Sequence, residues 1–301
     1  MRRTCLDQVY RLARTDERIV FLGSDITRSS TLARFREEMP DRFFMEGVSE
    51  GNLVGVMAGL AMAGRIPYLN TIATFATRRC FDQLAIDACL HRFPLRILGS
   101  GGGLVYAPLG PTHLAIEDLA LMRCLPGMAV VAPADAREME RLMPATVDWP
   151  GPLYVRIAKG GDPLVTPEQD GPYPLGRAFP MREGGDVLLV TTGILLGPAL
   201  QAADALAGRG LRAGVLHVPT VKPLDVETLL EMAAPVPLVV TAEEHTVLGG
   251  LGSAVAEALS EGLARPPRVR RLGLPDEFPH HYGLDAEGLE STVSDLLAPE
   301  A

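Results

Sequence analysis

Glu50 is the acidic side chain with the most unusual setting in this sequence. It opens the stretch EGNLVGVMAGLA at residues 50–61, which is otherwise apolar and rich in glycine and alanine. That composition predicts a buried helix, and a carboxyl group at the mouth of such a helix is suited to general acid–base work. The alternative is an ordinary first-turn acid behind Ser49, which would offset the helix dipole.

Two further segments carry side chains that could take part in chemistry. Phe75 ends the run TIATF, and His113 ends the run GPTH. An imidazole can donate a hydrogen bond or transfer a proton near neutral pH. The simpler alternatives are a core phenylalanine and a half-exposed histidine at the start of a helix.

The composition excludes several classes of protein. The chain has 301 residues, 47% of them hydrophobic, and a net charge of −9. These values exclude a disordered chain, and without a run of Lys or Arg they argue against a nucleic-acid or anionic-membrane surface. No apolar run is long enough to span a membrane, and the first residues lack an apolar signal core. We therefore expect a soluble, cytoplasmic protein.

The four cysteines have neither CxxC pairing nor ligand spacing, so we expect buried free thiols and no metal site within this chain. They are Cys5, Cys80, Cys89 and Cys124.

Helix and strand patterns alternate along the first half of the chain. This order predicts a parallel sheet with helices on both faces. Strand patterns occupy residues 19–22, 67–71, 95–99, 129–132 and 153–157. Helix patterns occupy residues 5–13, 50–63, 80–91, 115–124 and 136–146.

A proline-rich stretch without periodicity then predicts a linker, and a second α/β unit follows it. In that unit the strand patterns lie at 186–193, 215–218 and 238–241, and the helix patterns at 198–207, 228–233 and 252–260. The predicted fold class is α/β, with two consecutive α/β domains. The predicted boundaries are 1–165 for the first domain, 166–183 for the linker and 184–301 for the smaller second domain.

Several segments together resemble one family. The stretch 46–61 with TIATF and GPTH resembles the pyrimidine-binding domain of transketolase-like enzymes, which use thiamine diphosphate. VKPLD at 221–225, EEH at 243–245 and GGLG at 249–252 are similar to the C-terminal domain of transketolases, deoxyxylulose-phosphate synthases and the beta subunits of 2-oxo-acid dehydrogenases. The resemblance covers the whole chain and keeps the family's order and spacing.

The resemblance also implies a partner. Single-chain transketolases have a preceding domain in which a Gly-Asp-Gly element and an asparagine hold Mg²⁺ and the diphosphate, and this sequence contains no Gly-Asp-Gly. We therefore expect a split enzyme in which a separate diphosphate-binding subunit supplies those ligands, assembled as α₂β₂.

The resemblance assigns cofactor-binding roles to five residues. Glu50 falls on the glutamate that shares a proton with the pyrimidine nitrogen, and Phe75 on the aromatic ring that stacks on the pyrimidine. Ile72 replaces a second aromatic residue common in the family. Arg78 is expected to line the same pocket, with a solvated helix-face charge as the alternative. Asp25 resembles a loop aspartate near the cofactor, or it caps a helix.

The expected substrate site departs from the family in several places. His113 retains the family's position near the substrate carbonyl and hydroxyls. Leu109 stands where sugar-phosphate transketolases have a donor-reading aspartate, and the run that begins at Gly101 replaces a histidine. Lys159 replaces the phosphate-binding arginine, with Arg156 as an assistant. The glycines could make room for a larger acceptor or for a ligand against the backbone.

These residues predict a transferase subunit that moves a two-carbon ketol unit from a ketose phosphate to an acceptor. The alternative is a beta-type subunit of a 2-oxo-acid-dehydrogenase-like enzyme, which would pass a two-carbon acyl or glycolyl unit to a lipoyl or carrier-protein thiol. A third hypothesis is a non-catalytic subunit that only completes its partner's fold. The presence of Glu50, Phe75 and His113 together argues against that third hypothesis.

Overall fold

The computed structural model describes residues 1–24, 29–158, 160–278 and 286–297. Its strands are β1 (Ile19–Gly23), β2 (Phe43–Met45), β3 (Ile66–Ile72), β4 (Arg96–Ser100), β5 (Ala129–Val131), β6 (Leu153–Ile157), β7 (Phe179–Arg182), β8 (Val187–Thr191), β9 (Ala213–His217), β10 (Thr220–Lys222), β11 (Leu238–Thr246) and β12 (Arg268–Leu274).

The α-helices alternate with these strands. They are α1 (Arg2–Thr15), α2 (Ser30–Glu38), α3 (Glu50–Met62), α4 (Ala73–Thr77), α5 (Phe81–Gln83), α6 (Asp118–Cys124), α7 (Ala136–Val147), α8 (Leu196–Gly208), α9 (Val226–Ala233), α10 (Leu251–Gly262) and α11 (Ala286–Leu297). A π-helical segment, Leu84–Leu90, follows α5 directly.

The strands form two sheets, which confirms the prediction of two consecutive α/β units. The first sheet has the order β10-β5-β6-β4-β3-β1-β2, and all its pairs are parallel except β10 with β5. The second has the order β12-β11-β8-β9-β7, with only β7 antiparallel to its neighbour. Non-consecutive neighbours joined in parallel require helical crossovers, so helices cover the sheets.

Four strands were not predicted from the sequence patterns, namely β2, β7, β10 and β12, and two of them bear on the boundary between the units. β10 follows β9 in the chain but pairs with β5 at the edge of the first sheet. β7 lies inside the interval 166–183 that we expected to be a linker, and it forms an edge of the second sheet. Three-residue and edge strands carry little hydrophobic periodicity of their own, so pairing rather than pattern creates them.

Two predicted helices differ from the observed ones. Residues 115–117 are not helical, because Ala115 forms an antiparallel bridge with Gly103 and α6 begins only at Asp118. The predicted helix 80–91 is instead the short helix α5 followed by the π-helical turns. Both differences lie beside the candidate site.

Among the described residues, helix α3 packs on only one of its faces. Leu53 and Met57 are fully buried in the core beneath the first sheet. Gly55 and Gly59 are exposed, and a Cβ at either position would meet no atom within 4 Å. A glycine in a helix interior costs about 1 kcal/mol relative to alanine, so packing of the buried face must stabilise this helix.

Within the described ranges, no helix is long and apolar enough to cross a membrane.

Candidate active site

Glu50 is the first residue of α3 and is buried, with 3% of its surface exposed. Arg79 donates from Nη1 to Glu50 Oε2 at 3.3 Å. The other carboxylate oxygen, Oε1, is buried without a hydrogen-bond partner among the described residues. Ser49 makes no side-chain cap to this helix. A buried carboxylate oxygen without a donor is costly, and it marks a place where a ligand N–H would be favourable.

Phe75 and His113 meet at the same place. Phe75 lies half-buried in α4, and the His113 ring stands against it with centroids 5.2 Å apart and an interplanar angle of 62°. The Arg79 guanidinium carbon lies 3.7 Å from the centroid of the Phe75 ring. Arg79 therefore connects Glu50 to Phe75, and Phe75 in turn contacts His113. The sequence analysis selected these last three side chains first, and the structure places them together.

Arg79 is a site residue that the sequence analysis missed. It follows Phe75 by four positions, and that spacing brings side chains together on a helical turn. The spacing is a signal that could have found Arg79 from the sequence.

Arg78 fixes the loop that carries His113. Its guanidinium pairs with Glu117 and also donates to the carbonyl oxygens of Pro111 and Leu114, both at 2.9 Å. Nδ1 of His113 forms a hydrogen bond of 2.9 Å with the Thr112 hydroxyl, and the tautomer of the imidazole decides which of the two donates. The observed contacts of Arg78 are with this loop, and its expected contact with the cofactor remains a prediction.

The glycine run beyond β4 makes room for this chain's own side chains. A Cβ at Gly101 would clash with the Tyr106 ring, one at Gly102 with Arg156, and one at Gly103 with the Glu244 carboxylate. Gly101 also has a φ of +76°. The space that we expected to receive a larger acceptor is thus occupied by protein groups at all three positions.

Arg156 is buried rather than open to a substrate. Its Nη2 donates to the carbonyl oxygens of Ala115 and Glu244 at 3.0 and 2.8 Å, and its Nε lies 3.1 Å from Oδ2 of the fully buried Asp118. Tyr154 donates to that same oxygen at 2.6 Å. This geometry gives the expected substrate role of Arg156 no support, because the side chain is buried and its Nη2 already donates to two backbone carbonyls.

Glu244, in strand β11 of the second unit, contacts the loop that follows β4. Its Oε1 accepts a hydrogen bond from the Leu104 backbone N–H at 3.0 Å. Burial raises the pKa of the Glu244 carboxyl, and the nearby Arg156 charge opposes the shift. Two neighbours in the same sequence phrase are structural: Glu243 accepts from the backbone N–H groups of Leu251 and Gly252 at the start of α10, and His245 is fully buried.

The remaining predicted site residues have simple positions. Ile72 is half-buried at the end of β3, next to α4. Leu109 is 56% exposed in a 3₁₀ turn just before Gly110. Asp25 and Lys159 lie outside the described residues.

Three of the four cysteines are buried, as expected, whereas Cys124 is exposed at the end of α6. Burial raises the pKa of the Cys80 thiol to about 12, and the neighbouring Glu50 charge contributes to the shift. Cys80 therefore stays neutral beside the site. In the described part of the chain, no group of three or more His, Cys, Asp or Glu side chains could hold a metal ion.

Comparisons with known proteins identify the class to which this site belongs. Residues 1–161 match the family model "Transketolase, pyrimidine binding domain", and residues 176–292 match "Transketolase, C-terminal domain". The chain belongs to the transketolase family, a family of thiamine diphosphate enzymes.

The similar curated proteins include subunits of split enzymes. The chain is 40% identical to the 6-deoxy-6-sulfo-D-fructose transketolase subunit SqwH of Clostridium sp. (strain MSTE9), over 92% of this chain and 85% of that protein. It is 36% identical to one subunit of the apulose-4-phosphate transketolase of Phocaeicola vulgatus, over 98% of this chain and 97% of that protein. It spans about half, 47%, of the 1-deoxy-D-xylulose-5-phosphate synthase 1 of Geobacter sulfurreducens, at 36% identity.

Solved structures agree with this grouping. A split-gene transketolase described as an inactive beta4 tetramer matches with a TM-score of 0.89 and 38% identity, over 98% of this chain and 97% of that one. A transketolase from Pichia stipitis, at 20% identity and a TM-score of 0.73, shows the shared fold. These findings confirm the prediction of a transketolase-like transferase subunit and do not favour the 2-oxo-acid-dehydrogenase alternative.

Proposed function

We propose that this chain is the subunit of a split transketolase that binds and activates the pyrimidine half of thiamine diphosphate. The observation that carries the proposal is the buried Glu50 carboxylate, whose Oε1 has no donor among the described residues. Its Oε2 accepts from Arg79, and the Arg79 guanidinium lies over the Phe75 ring. An aminopyrimidine fits these groups, because it offers an N–H to a carboxylate and a flat apolar face to an aromatic ring.

The cofactor, when bound, supplies the electron sink that allows a ketol unit to be cleaved and transferred. The residues of this chain would then do the positioning and the proton transfer. Glu50 would exchange a proton with the pyrimidine ring nitrogen, a general acid–base contribution worth roughly 10²–10⁴ in rate. Phe75 would hold the ring by stacking, and His113, in contact with Phe75, would donate to the oxygen of the substrate carbonyl.

The diphosphate and Mg²⁺ ligands are assigned to a separate subunit. This part of the proposal is supported by the similarity to split subunits and by the absence of a metal-ligand cluster in the described ranges. We propose an α₂β₂ assembly. Six large apolar side chains between residues 45 and 90 are exposed, and they support burial of this region in an assembly: Met45, Val48, Val56, Met62, Ile86 and Leu90.

The proposed donor is a ketose with an anionic end, from which a two-carbon ketol unit passes to an acceptor. The names of the related subunits, which concern a sulfonated ketose and a ketose phosphate, support this class. Lys159 is the residue proposed to meet the anionic end. Leu109, apolar and exposed beside the His113 loop, would select against donors that need a carboxylate at that position. We place the enzyme in the cytoplasm, where free thiols such as Cys80 persist.

Calorimetric titration of thiamine diphosphate with Mg²⁺ tests the proposal. The cofactor is added to this chain alone, and then to the chain mixed with a diphosphate-binding subunit encoded beside it. Binding only in the mixture supports a split site, whereas tight binding to this chain alone contradicts the assignment of ligands to a partner. Glu50→Gln in the mixture should retain the diphosphate contacts but abolish ketol transfer, and full activity of that variant would overturn the role of Glu50.

A further inference from the structure

The Arg79 side chain occupies the space between the two groups that define the candidate pyrimidine site. Its guanidinium carbon lies 3.7 Å from the centroid of the Phe75 ring, which is a stacking distance. Its Nη1 donates to Glu50 Oε2 at 3.3 Å. The guanidinium therefore stacks on the aromatic ring and pairs with the buried acid at the same time.

These two contacts are the ones that an aminopyrimidine would make. Both groups are planar, both present N–H donors on an N–C–N unit, and a protonated aminopyrimidine carries a positive charge as a guanidinium does. Aromatic carbons in contact lie about 3.5–4.0 Å apart, so a ring stacked on this face of Phe75 would need the volume that Arg79 fills. The observed position of Arg79 and a pyrimidine bound there exclude each other.

The Arg79 side chain is held by fewer contacts than that of its neighbour Arg78. Within the described ranges its side chain makes no other hydrogen bond or ion pair, and it is 45% exposed in the turn between α4 and α5. Arg78 is committed to Glu117 and to two backbone carbonyls. One hydrogen bond, to Glu50, and one ring contact, with Phe75, hold the Arg79 side chain. Its displacement therefore requires no change in the fold.

We propose that Arg79 is an internal placeholder for the cofactor pyrimidine. It keeps the Glu50 charge compensated and the Phe75 face covered until the cofactor displaces it. The inference rests on the proposed function, and it adds a residue that acts against cofactor binding. Displacing a half-exposed ion pair and a cation–π contact should weaken the apparent cofactor affinity by about tenfold.

The test is calorimetric titration of thiamine diphosphate with Mg²⁺ into the complex of this chain with its diphosphate-binding subunit. Arg79→Gln removes the charge and most of the stacking, and it should lower the cofactor Kd by about tenfold. Arg65→Gln is the matched control, because Arg65 is exposed near the other end of α3 and its side chain, within the described ranges, donates only to the Glu17 carbonyl. Loss of that positive charge should leave the Kd of the anionic cofactor unchanged or slightly raise it.

The outcomes separate this inference from the proposed function. A Kd that is unchanged or raised in Arg79→Gln, with the cofactor still bound, overturns the placeholder and leaves the proposed function standing. Absence of binding in both the wild-type and the variant complex overturns the proposed function and the placeholder together. A structure of the loaded complex gives a second readout, in which the Arg79 guanidinium should have left the Phe75 ring. A guanidinium still stacked there contradicts the inference.

Discussion

Arg78 and Glu117 form a two-point ion pair across 39 positions of the sequence, with Nη2 and Oε2 2.8 Å apart and Nε on the other oxygen. The pair joins the turn after α4 to the segment before α6. The same guanidinium holds the Pro111 and Leu114 carbonyls, so one side chain closes both ends of the His113 loop.

Arg78→Ala should therefore loosen the His113 loop without weakening cofactor binding. We expect kcat/KM for the donor to fall by about tenfold, because small displacements of a catalytic group are costly. The cofactor Kd should remain within about twofold, since the ion pair is half-exposed and contributes only ~1 kcal/mol. Glu117→Gln should move kcat/KM in the same direction but less. A raised cofactor Kd with an unchanged donor KM would instead support the original expectation that Arg78 contacts the cofactor.

Two glycine substitutions should have opposite effects on the stability of the isolated chain. Gly101→Ala places a methyl group against Tyr106 at a φ of +76°, and it should lower the free energy of unfolding by about 1–3 kcal/mol. Gly59→Ala adds a methyl group to an open helix face and should raise it by about 0.5–1 kcal/mol. Urea denaturation measures both. Equal effects of the two would contradict the packing described for the glycine run.

Leu109→Asp tests the proposed donor selectivity. The side chain is 56% exposed, so we expect a change in stability of no more than about 0.5 kcal/mol. A carboxylate at this position should improve turnover of ordinary ketose phosphates by offering an acceptor to a donor hydroxyl. Leu109→Asn, of the same size but without the charge, is the control. A folded Leu109→Asp variant that binds cofactor and shows no gain would argue against the donor-reading role of this position.

Glu244→Gln should change how stability depends on pH. Because burial raises the pKa of this carboxyl, the folded state binds its proton more tightly than the unfolded state. Its contribution is therefore most favourable below the unfolded pKa, and stability is lost as pH rises through the folded pKa. Glutamine keeps the acceptor for the Leu104 N–H and does not titrate there. The Tm of the variant relative to wild type should increase from acid to neutral pH, and a constant difference in Tm would contradict this.

A buried network joins α7 to the second sheet and predicts coupled stability effects. Glu138 Oε2 lies 2.9 Å from His217 Nε2 and accepts from the Ala134 N–H, and its Oε1 accepts from the Tyr173 hydroxyl at 2.8 Å. Burial raises the pKa of Tyr173 well above its usual value, so the hydroxyl remains a donor. His217→Phe should lower the free energy of unfolding by about 1–3 kcal/mol by removing a partner from a buried carboxylate.

Tyr173→Phe, made alone and together with His217→Phe, provides the control for that prediction. The two changes act on one carboxylate, so their combined effect should differ from the sum of the single effects by about 0.5 kcal/mol or more. Additive single effects would show that the two contacts are energetically independent.

The sequence by itself determined the order of the main elements and the family. Apolar runs marked eight of the twelve strands, and an apolar composition rich in small residues marked the helix that starts at Glu50. The sequence patterns missed β2, β7, β10 and β12. The resemblance to transketolase-like enzymes selected Glu50, Phe75 and His113 as the candidates, and the structure brings them to one place. Arg79 was within reach of the same reasoning through its four-residue spacing from Phe75.

Only the tertiary structure decided which side chains meet across the fold. The pairing of Arg78 with Glu117, the contact of Glu244 with the glycine run, and the pairing of β10 with β5 join segments far apart in the chain. No local pattern encodes such partners, because they depend on strand order and on the crossovers between strands. For the same reason the sequence could not show that Arg156 pairs with the buried Asp118. Nor could it show that Glu244, from the second unit, occupies the space above Gly103.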